Sequence, residues 1–272
     1  MGSTAEATKA LQAALARGGV TASSNLLIAY SGGPDSSALL FLLARSLRHT
    51  YGRLTAAYFR HGIQPEGAQN QEGVVVQRSC EALGVPLRVE GLPQGQLSES
   101  PEAREIGLEA AARRARYDFL LRTADSIGAT HLLTAHHRDD QVETILMRLL
   151  QGGGISALGG IEEAREARTP GGATVTLLRP LLELTRADLQ TILGGAPIQG
   201  HRDTGNHAER FFRNRIRARV LPALREVVPS YQNAVLRLAK EARELSRELK
   251  EGGNSLPVEV HGAEIRFPGS EF

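Results

Sequence analysis

The segment LLIAYSGGPDSSALLFLL, residues 26–43, constrains the fold of this chain more than any other. An apolar run of strand length stops at two glycines and restarts as an apolar run with helical spacing. A strand that is apolar at every position has both faces covered, which indicates a parallel sheet rather than a half-exposed hairpin. The order then repeats. LTAAYF (54–59) precedes a helical segment near Gly67–Leu83, PLRVE (86–90) precedes a long helix from about Pro101 to Ile127, and THLLTA (130–135) precedes a helix over Asp139–Leu150. An Ala/Leu-rich helix, Glu6–Arg17, stops at Gly18-Gly19 ahead of the first strand. Strands alternating with helices predict an α/β fold, a parallel doubly wound sheet of Rossmann-like type. In such sheets ligands bind beyond the carboxyl ends of the strands. Ser31, His61 and His136 each fall just past a strand end, so three segments are expected to converge on one rim.

The chain has 272 residues, which suits one sizeable domain and a smaller one. Past Gly194-Gly195 the character changes. Residues 207–226 and 230–251 read as two charged helices, and LPVEVHGAEIRF (256–267) as a hairpin turning at His261-Gly262. The expected division is therefore 1–200 for the α/β domain and 201–272 for a mainly helical one. QGGGISALGG (151–160) reads as a glycine-rich connection. The initial Met-Gly-Ser and terminal Gly-Ser-Glu-Phe resemble cloning remnants, and the natural protein is expected to continue. No stretch resembles a membrane span or a signal peptide. The lone Cys80 leaves no disulfide framework and no Cys-rich zinc or iron–sulfur site within these residues. A cytoplasmic protein without a membrane partner is the expectation; monomer and homodimer are both compatible with it.

The net charge of +2 hides an asymmetry, because residues 201–250 carry twelve Arg/Lys against six Asp/Glu. RFFRNRIRARVLPAL (210–224) holds five arginines within ten residues. Phe212, Ile216 and Val220 recur at helical spacing as a core stripe, leaving Arg210, Arg213 and Arg217 as a basic row. Such a row can be a solvated surface, but its density points to phosphate contacts with a nucleic acid.

Between the first strand and its helix stand Ser31, Gly32, Gly33, Pro34, Asp35 and Ser36. Two successive glycines let the backbone turn and present amides inward, an anion nest at a helix N-terminus. The Ser31 and Ser36 hydroxyls can add bonds to phosphate oxygens. Asp35 would repel phosphate unless a cation sits between them, so Mg²⁺ bridging Asp35 and a pyrophosphate is expected. The plain alternative is a βα turn with an Asp or Ser cap. No Gly-Lys-Ser/Thr follows, so this is not the loop of ordinary P-loop ATPases.

TAHHRDDQVETILMRLL (134–150) sets His136 and His137 at the mouth of the fourth strand, with Asp139, Asp140 and Glu143 in the first turns of the next helix. Acids at a helix start are favoured by the macrodipole alone. The Asp140/Glu143 spacing also makes a carboxylate pair, suited to an ammonium group or to metal ligation. Arg113, Arg114 and Arg116 in EAAARRARYDFL (109–120) read, by themselves, as a solvated helix face.

Together SGGPDS, FRHGIQPEG (59–67), EAAARRARYDFL, LLTAHHRDDQVETILMRLLQGGG, LRPLLELTR (178–186) and DTGNHAERFFRNRIRARVLPAL (203–224) resemble, in order, the motifs of tRNA(Ile)-lysidine synthetases, within the PP-loop ATP pyrophosphatases. The resemblance implies the adenine nucleotide alpha hydrolase-like fold and a two-step reaction. ATP would adenylate the C2 oxygen of the wobble cytidine in a CAU-anticodon tRNA(Ile), and the ε-amine of free L-lysine would expel AMP to give lysidine. It implies that Ser31, Gly32, Gly33, Pro34, Asp35 and Ser36 hold ATP with Asp35 on Mg²⁺, and that adenine lies against the backbone at Tyr58 and Phe59, although Phe59 reads equally well as core. His136, Asp140 and Glu143 would stand near the lysine and the reacting base. Arg113 would stand near the transferring nucleotidyl group, and Arg210, Arg213, Arg215 and Arg217 would face tRNA. A PP-loop tRNA thiolase and another ATP-dependent amidating ligase are the competing readings. The first generally uses paired or cluster-holding cysteines, and the second has no need of the arginine-dense appendage.

Overall fold

A computed structural model describes residues 4–47, 53–63, 66–201, 212–252, 259–261 and 264–266. In chain order the elements are α1 (Thr4–Arg17), β1 (Leu26–Ala29), α2 (Pro34–Leu47), β2 (Leu54–Arg60), α3 (Glu66–Leu83), β3 (Leu87–Gly91), α4 (Pro101–Ile106), α5 (Leu108–Ile127) and β4 (His131–Leu133). There follow α6 (Arg138–Leu150), α7 (Ile155–Leu158), β5 (Ala164–Arg168), β6 (Thr174–Leu178) and α8 (Arg186–Gly194). The C-terminal part has α9 (Phe212–Arg215), a π-helical turn (Ile216–Val220), α10 (Leu221–Val227), α11 (Tyr231–Gly252), β7 (Glu259–His261) and β8 (Glu264–Arg266).

Among the described residues six strands form one sheet in the order β3-β2-β1-β4-β6-β5. All neighbours pair parallel except β5, which returns antiparallel on β6. Strand alternation divides the core in two. Leu26, Ile28, Ala56, Tyr58, Leu133 and Leu178 pack with Leu11, Leu15, Leu39, Leu42, Val76 and Ile192, on the side of α1, α2, α3 and α8. Leu27, Ala57, Phe59, Leu132 and Leu177 pack with Phe119, Leu120 and Ala124 of α5 on the other side. Both faces of each central strand are therefore buried, which is why these strands are apolar throughout. The chain leaves β1 toward β2 on one side and returns to β4 on the other. The switch point thus lies between β1 and β4, where such sheets open a crevice at the carboxyl edge.

Two details depart from the sequence expectation. The long helix over 101–127 is broken at Gly107, whose φ of +87° no side-chain-bearing residue adopts without strain, giving α4 and α5. The β5–β6 hairpin was not foreseen. Its edge strand AREAR is almost wholly exposed, and an edge strand needs no apolar face to hydrogen-bond its neighbour.

The chain divides into two compact units, Met1–Asp140 with Glu162–Ala208, and Gln141–Ile161 with Glu209–Phe272. The second unit differs from the 201–272 segment because it takes in most of α6 together with α7. Val142 and Leu146 of α6 bury against Tyr231, with Leu221, Leu224, Val235 and Leu236 around them. The glycine-rich connection is ordered by polar contacts: Arg148 donates to the carbonyls of Ala157 and Gly160, and Arg243 to that of Gly159. The π turn has a covalent cause. Pro222 has no N–H and its ring displaces the carbonyl four residues back, so the helix widens and the Leu221 N–H reaches Ile216 O. The strands β7 and β8 pair antiparallel with Val260 opposite Ile265; the turn expected at His261-Gly262 includes residues outside the described set.

Candidate active site

In the first unit, the loop after β1 turns at Gly32, whose φ is +74° and where a Cβ would meet Val76 Cγ2 at 2.8 Å. Glycine is thus required on two counts. Helix α2 begins at Pro34, which suits a first helical position because its missing N–H has no intrahelical acceptor there. Ser31 Oγ and Ser36 Oγ lie 3.1 Å apart, and Ser36 Oγ donates to Gly33 O at 3.0 Å. The first N–H groups of α2 lack intrahelical acceptors by construction and point out of the helix end, adding positive potential. A second segment braces the loop: the His201 N–H donates to Gly32 O at 2.7 Å, and a Cβ on Gly200 would meet Pro34 Cα at 2.6 Å.

Past β4, His137 is fully buried among carboxylates. Its Nε2 stands 3.3 Å from Asp35 Oδ2 and 3.5 Å from Asp140 Oδ2, and its Nδ1 stands 3.6 Å from Asp139 Oδ2. The strand-end histidine thereby links the loop after β1 to the start of α6. Asp140 Oδ2 also accepts the His137 N–H at 3.1 Å, and Asp139 Oδ2 accepts the Arg186 N–H at 2.8 Å. Both acids therefore hold local backbone as well as charge. His136 is half-buried, with Nδ1 2.8 Å from Thr134 Oγ1. Arg186 Nη2 reaches within 3.9 Å of Asp35 Oδ2. Convergence of the β1 and β4 ends is thus observed; the sequence reading set His137 at the strand mouth but gave no role to it or to Arg186.

Tyr58 and Phe59 lie in the two cores, on opposite faces of the sheet. Burial, reinforced by Glu72, raises the Tyr58 phenol well above its ordinary value. Phe59 stacks on Phe119 at 5.5 Å and meets His61 edge-on at 5.1 Å. Their side chains are structural, leaving only backbone there to meet a ligand. His61 itself is held down to about 4 by burial and by the Arg116 charge.

Because α5 leads into β4, its N-terminal half lies over the carboxyl edge of the sheet. Arg113 is exposed and its Cζ stands 4.8 Å from the Tyr117 ring centroid; Arg116 Cζ stands 5.8 Å from the same ring. Arg114 is the solvated member, paired with Glu102 at 3.0 Å. Arg179, one residue past β6, is buried and donates from Nη1 to Glu162 O at 2.6 Å.

In the second unit, Glu143 is 2% exposed and takes both Arg213 Nε at 2.9 Å and Arg217 Nε at 2.6 Å. Two members of the expected basic row therefore turn onto a carboxylate of α6. Ile216 is buried as the stripe requires, while Phe212 and Val220 are only partly covered. Arg215 is exposed, with Cζ 5.6 Å from the Phe212 ring, and Arg219 is exposed beside it on the helix. Arg210 lies outside the described residues.

A mostly parallel sheet carrying a glycine-turned loop and a helix start at its switch point defines the nucleotide-binding α/β class. The sequence profile of the PP-loop domain matches residues 3–224, and the chain belongs to that family. A protein named tRNA(Ile)-lysidine synthase from Dehalococcoides mccartyi is 32% identical over 244 residues, covering 90% of this chain and 51% of that protein. One of the same name from Bradyrhizobium sp. is 41% identical over 201 residues, covering 73% of this chain and 52% of its own length. The chain spans about half the length of these curated relatives. Among solved structures, the U34-tRNA thiolase of Methanococcus maripaludis with its [4Fe-4S] cluster superposes with a TM-score of 0.67 at 16% identity, covering 88% of this chain and 79% of that one, a likeness of fold. Among the described residues no helix is long and apolar enough to cross a membrane.

Proposed function

We propose that this protein ligates free L-lysine to C2 of the wobble cytidine of a CAU-anticodon tRNA(Ile), using ATP and forming lysidine. The observation that carries the reading is the meeting of the β1 loop and the β4 end at one switch point, in a chain whose relatives of 32% and 41% identity are named for this modification. The cytidine C2 oxygen attacks the α-phosphorus and pyrophosphate leaves. The lysine ε-nitrogen then bonds to C2, the C2–O bond breaks with AMP as leaving group, and the nitrogen gives up its protons.

The chain's own residues divide this work. Backbone amides of Gly32, Gly33, Asp35 and Ser36 and the Ser31 and Ser36 hydroxyls bind the polyphosphate. Asp35 and Asp140 present carboxylate oxygens to the same His137 nitrogen, so both reach one point at the loop mouth. One or two carboxylates beside phosphate oxygens is the donor set Mg²⁺ prefers, and Asp35 would hold it. Bound magnesium would offset charge on the departing pyrophosphate. His136, half-buried at the strand end, is placed to accept a proton from the attacking amine. Glu143 has the charge for lysine's α-ammonium, Arg113 that for the nucleotidyl phosphate, and Arg210, Arg213, Arg215 and Arg217 that for tRNA. ATP and tRNA are cytoplasmic, and the proposed reaction is too.

A thiolase reading would need reactive cysteine. Cys80, on α3, is buried in the core, and burial pushes its thiol up to about 12, leaving it protonated and unreactive at neutral pH. The deciding experiment mixes protein, ATP, Mg²⁺, labelled lysine and a tRNA(Ile) transcript, followed by nucleoside mass spectrometry. Lysidine is the expected product, and Asp35→Ala should abolish it with the fold intact. Label that requires a sulfur donor or a small-molecule acceptor overturns the proposal.

A further inference from the structure

The sequence reading left Arg116 and Arg179 without a role, and both stand where the nucleotide edge of the sheet meets α5. Arg113 and Arg116 flank one ring, Tyr117, at 4.8 and 5.8 Å, with Arg113 Nη2 also 3.4 Å from the Tyr117 hydroxyl. Arg179 approaches from β6, close enough to Arg165 and Arg113 for their charges to act on it. Alternation along β6 explains the approach: Leu177 packs on the α5 side and Leu178 on the other, so Arg179 returns to the α5 side.

An arginine in such a place normally has a structural partner. Arg179 has one, the Glu162 carbonyl, and that bond uses only Nη1. The side chain is 95% buried, and its Nε–H finds no hydrogen-bond acceptor among the described residues. Leaving a buried charged donor unsatisfied is costly. His61 Nδ1, at the end of β2 on the same face, is likewise buried without a partner. Burial holds Arg179 and Arg116 below the ordinary arginine value, and Arg113 adds to this at both. Glu162 is the one carboxylate that acts on Arg179, and more weakly than the arginines do. The cluster is thus cationic, weakly compensated, and open at Arg113. Contrast Arg114, one residue on, which reaches a carboxylate at 3.0 Å.

We propose that Arg113, Arg116 and Arg179 form one receptor for a phosphoryl group, with Arg179 as its buried floor and Tyr117 holding the two helix arginines apart. Guanidinium forks fit phosphate oxygens bidentately, and an anion among them satisfies the Arg179 Nε–H while relieving repulsion between like charges. The phosphoryl group belongs to the nucleotide or to the RNA backbone beside the modified base. The inference rests on the proposed ATP- and RNA-dependent reading for those sources, but not on which base or amine is joined.

The test measures binding of ATP and, separately, of an anticodon stem-loop RNA over a salt series, for wild type, Arg113→Gln, Arg116→Gln and Arg179→Gln. Each variant should weaken one probe about tenfold. If that probe is RNA, each should also flatten its log–log salt slope by close to one contact. Loss with ATP alone assigns the receptor to the nucleotide, and loss with RNA alone to the backbone. Arg179→Lys, which keeps charge but not the fork, should bind like Arg179→Gln and melt like wild type. Unchanged affinity for both probes in the exposed Arg113→Gln and in a folded Arg179→Lys overturns the proposal. Binding loss without any lysidine from the wild type would sink the proposed reaction and leave the receptor standing.

Discussion

Two groups of arginines stand in this molecule, and their surroundings are opposite. Arg213 and Arg217 of the second unit close on Glu143, itself 2% exposed, at 2.9 and 2.6 Å. Arg113 and Arg116 of the first unit flank Tyr117, Arg179 lies on the same side of the sheet, and Glu162 acts only weakly on Arg179. In the first group one buried carboxylate sits between two guanidinium groups and offsets part of their charge. The second is buried at Arg179, open at Arg113, and in the proposed receptor takes an anion. Arginine density alone does not tell the two groups apart: the five-arginine run looks more like a phosphate surface than α5 does, yet two of its members meet a carboxylate. What separates them is whether a carboxylate is brought to them by the fold.

Breaking the group around Glu143 should have the largest effect on stability. Glu143→Ala removes the carboxylate from between two partly buried guanidinium groups, and losing one side of a buried pair costs about 3–5 kcal/mol. Urea unfolding monitored in the second unit should show that loss, and a change below ~1 kcal/mol would mean the three charges are solvated. Next comes acid. His61 is held at about 4 against an unfolded value of 6.5, by burial and then by Arg116. The unfolded chain therefore binds the proton first, so stability is full above 6.5 and falls as pH drops toward about 4, by up to roughly 3 kcal/mol. His61→Gln should flatten that part of the pH profile; an unaltered profile would remove His61 from the neighbourhood of the cationic cluster. The smallest effect concerns RNA. Exposed Arg215 and Arg219 should each lower the salt slope of tRNA binding by up to ~0.9 when changed to Gln, and Arg213→Gln by less, because Glu143 already screens it. Equal effects at all three positions would erase the contrast between the exposed arginines and the one held by Glu143.

Much of this was legible beforehand for definite reasons. An all-apolar strand followed by SGGPDS has few solutions, because positive φ at Gly32 and contact with Val76 both demand glycine. The convergence of Ser31 and His136 followed from strand ends alone. The roles of neighbours did not. His137, rather than His136, stands among Asp35, Asp139 and Asp140, and nothing in the HH pair says which ring points inward. Arg179 hides in LRPLLELTR, and its burial depends on β6, a strand whose hairpin partner is a polar edge. Gly200 is needed only because its segment crosses Pro34, far away in sequence.

Local chemistry in the sequence settled the parallel sheet, the glycine-turned loop and the acidic start of α6, since backbone freedom, apolar continuity and helix ends are properties of short segments. Which charges meet was decided by the tertiary structure. Coulomb and desolvation effects depend on distances across elements far apart in the chain, so an arginine's partner, and with it the arginine's task, exists only once the chain has folded.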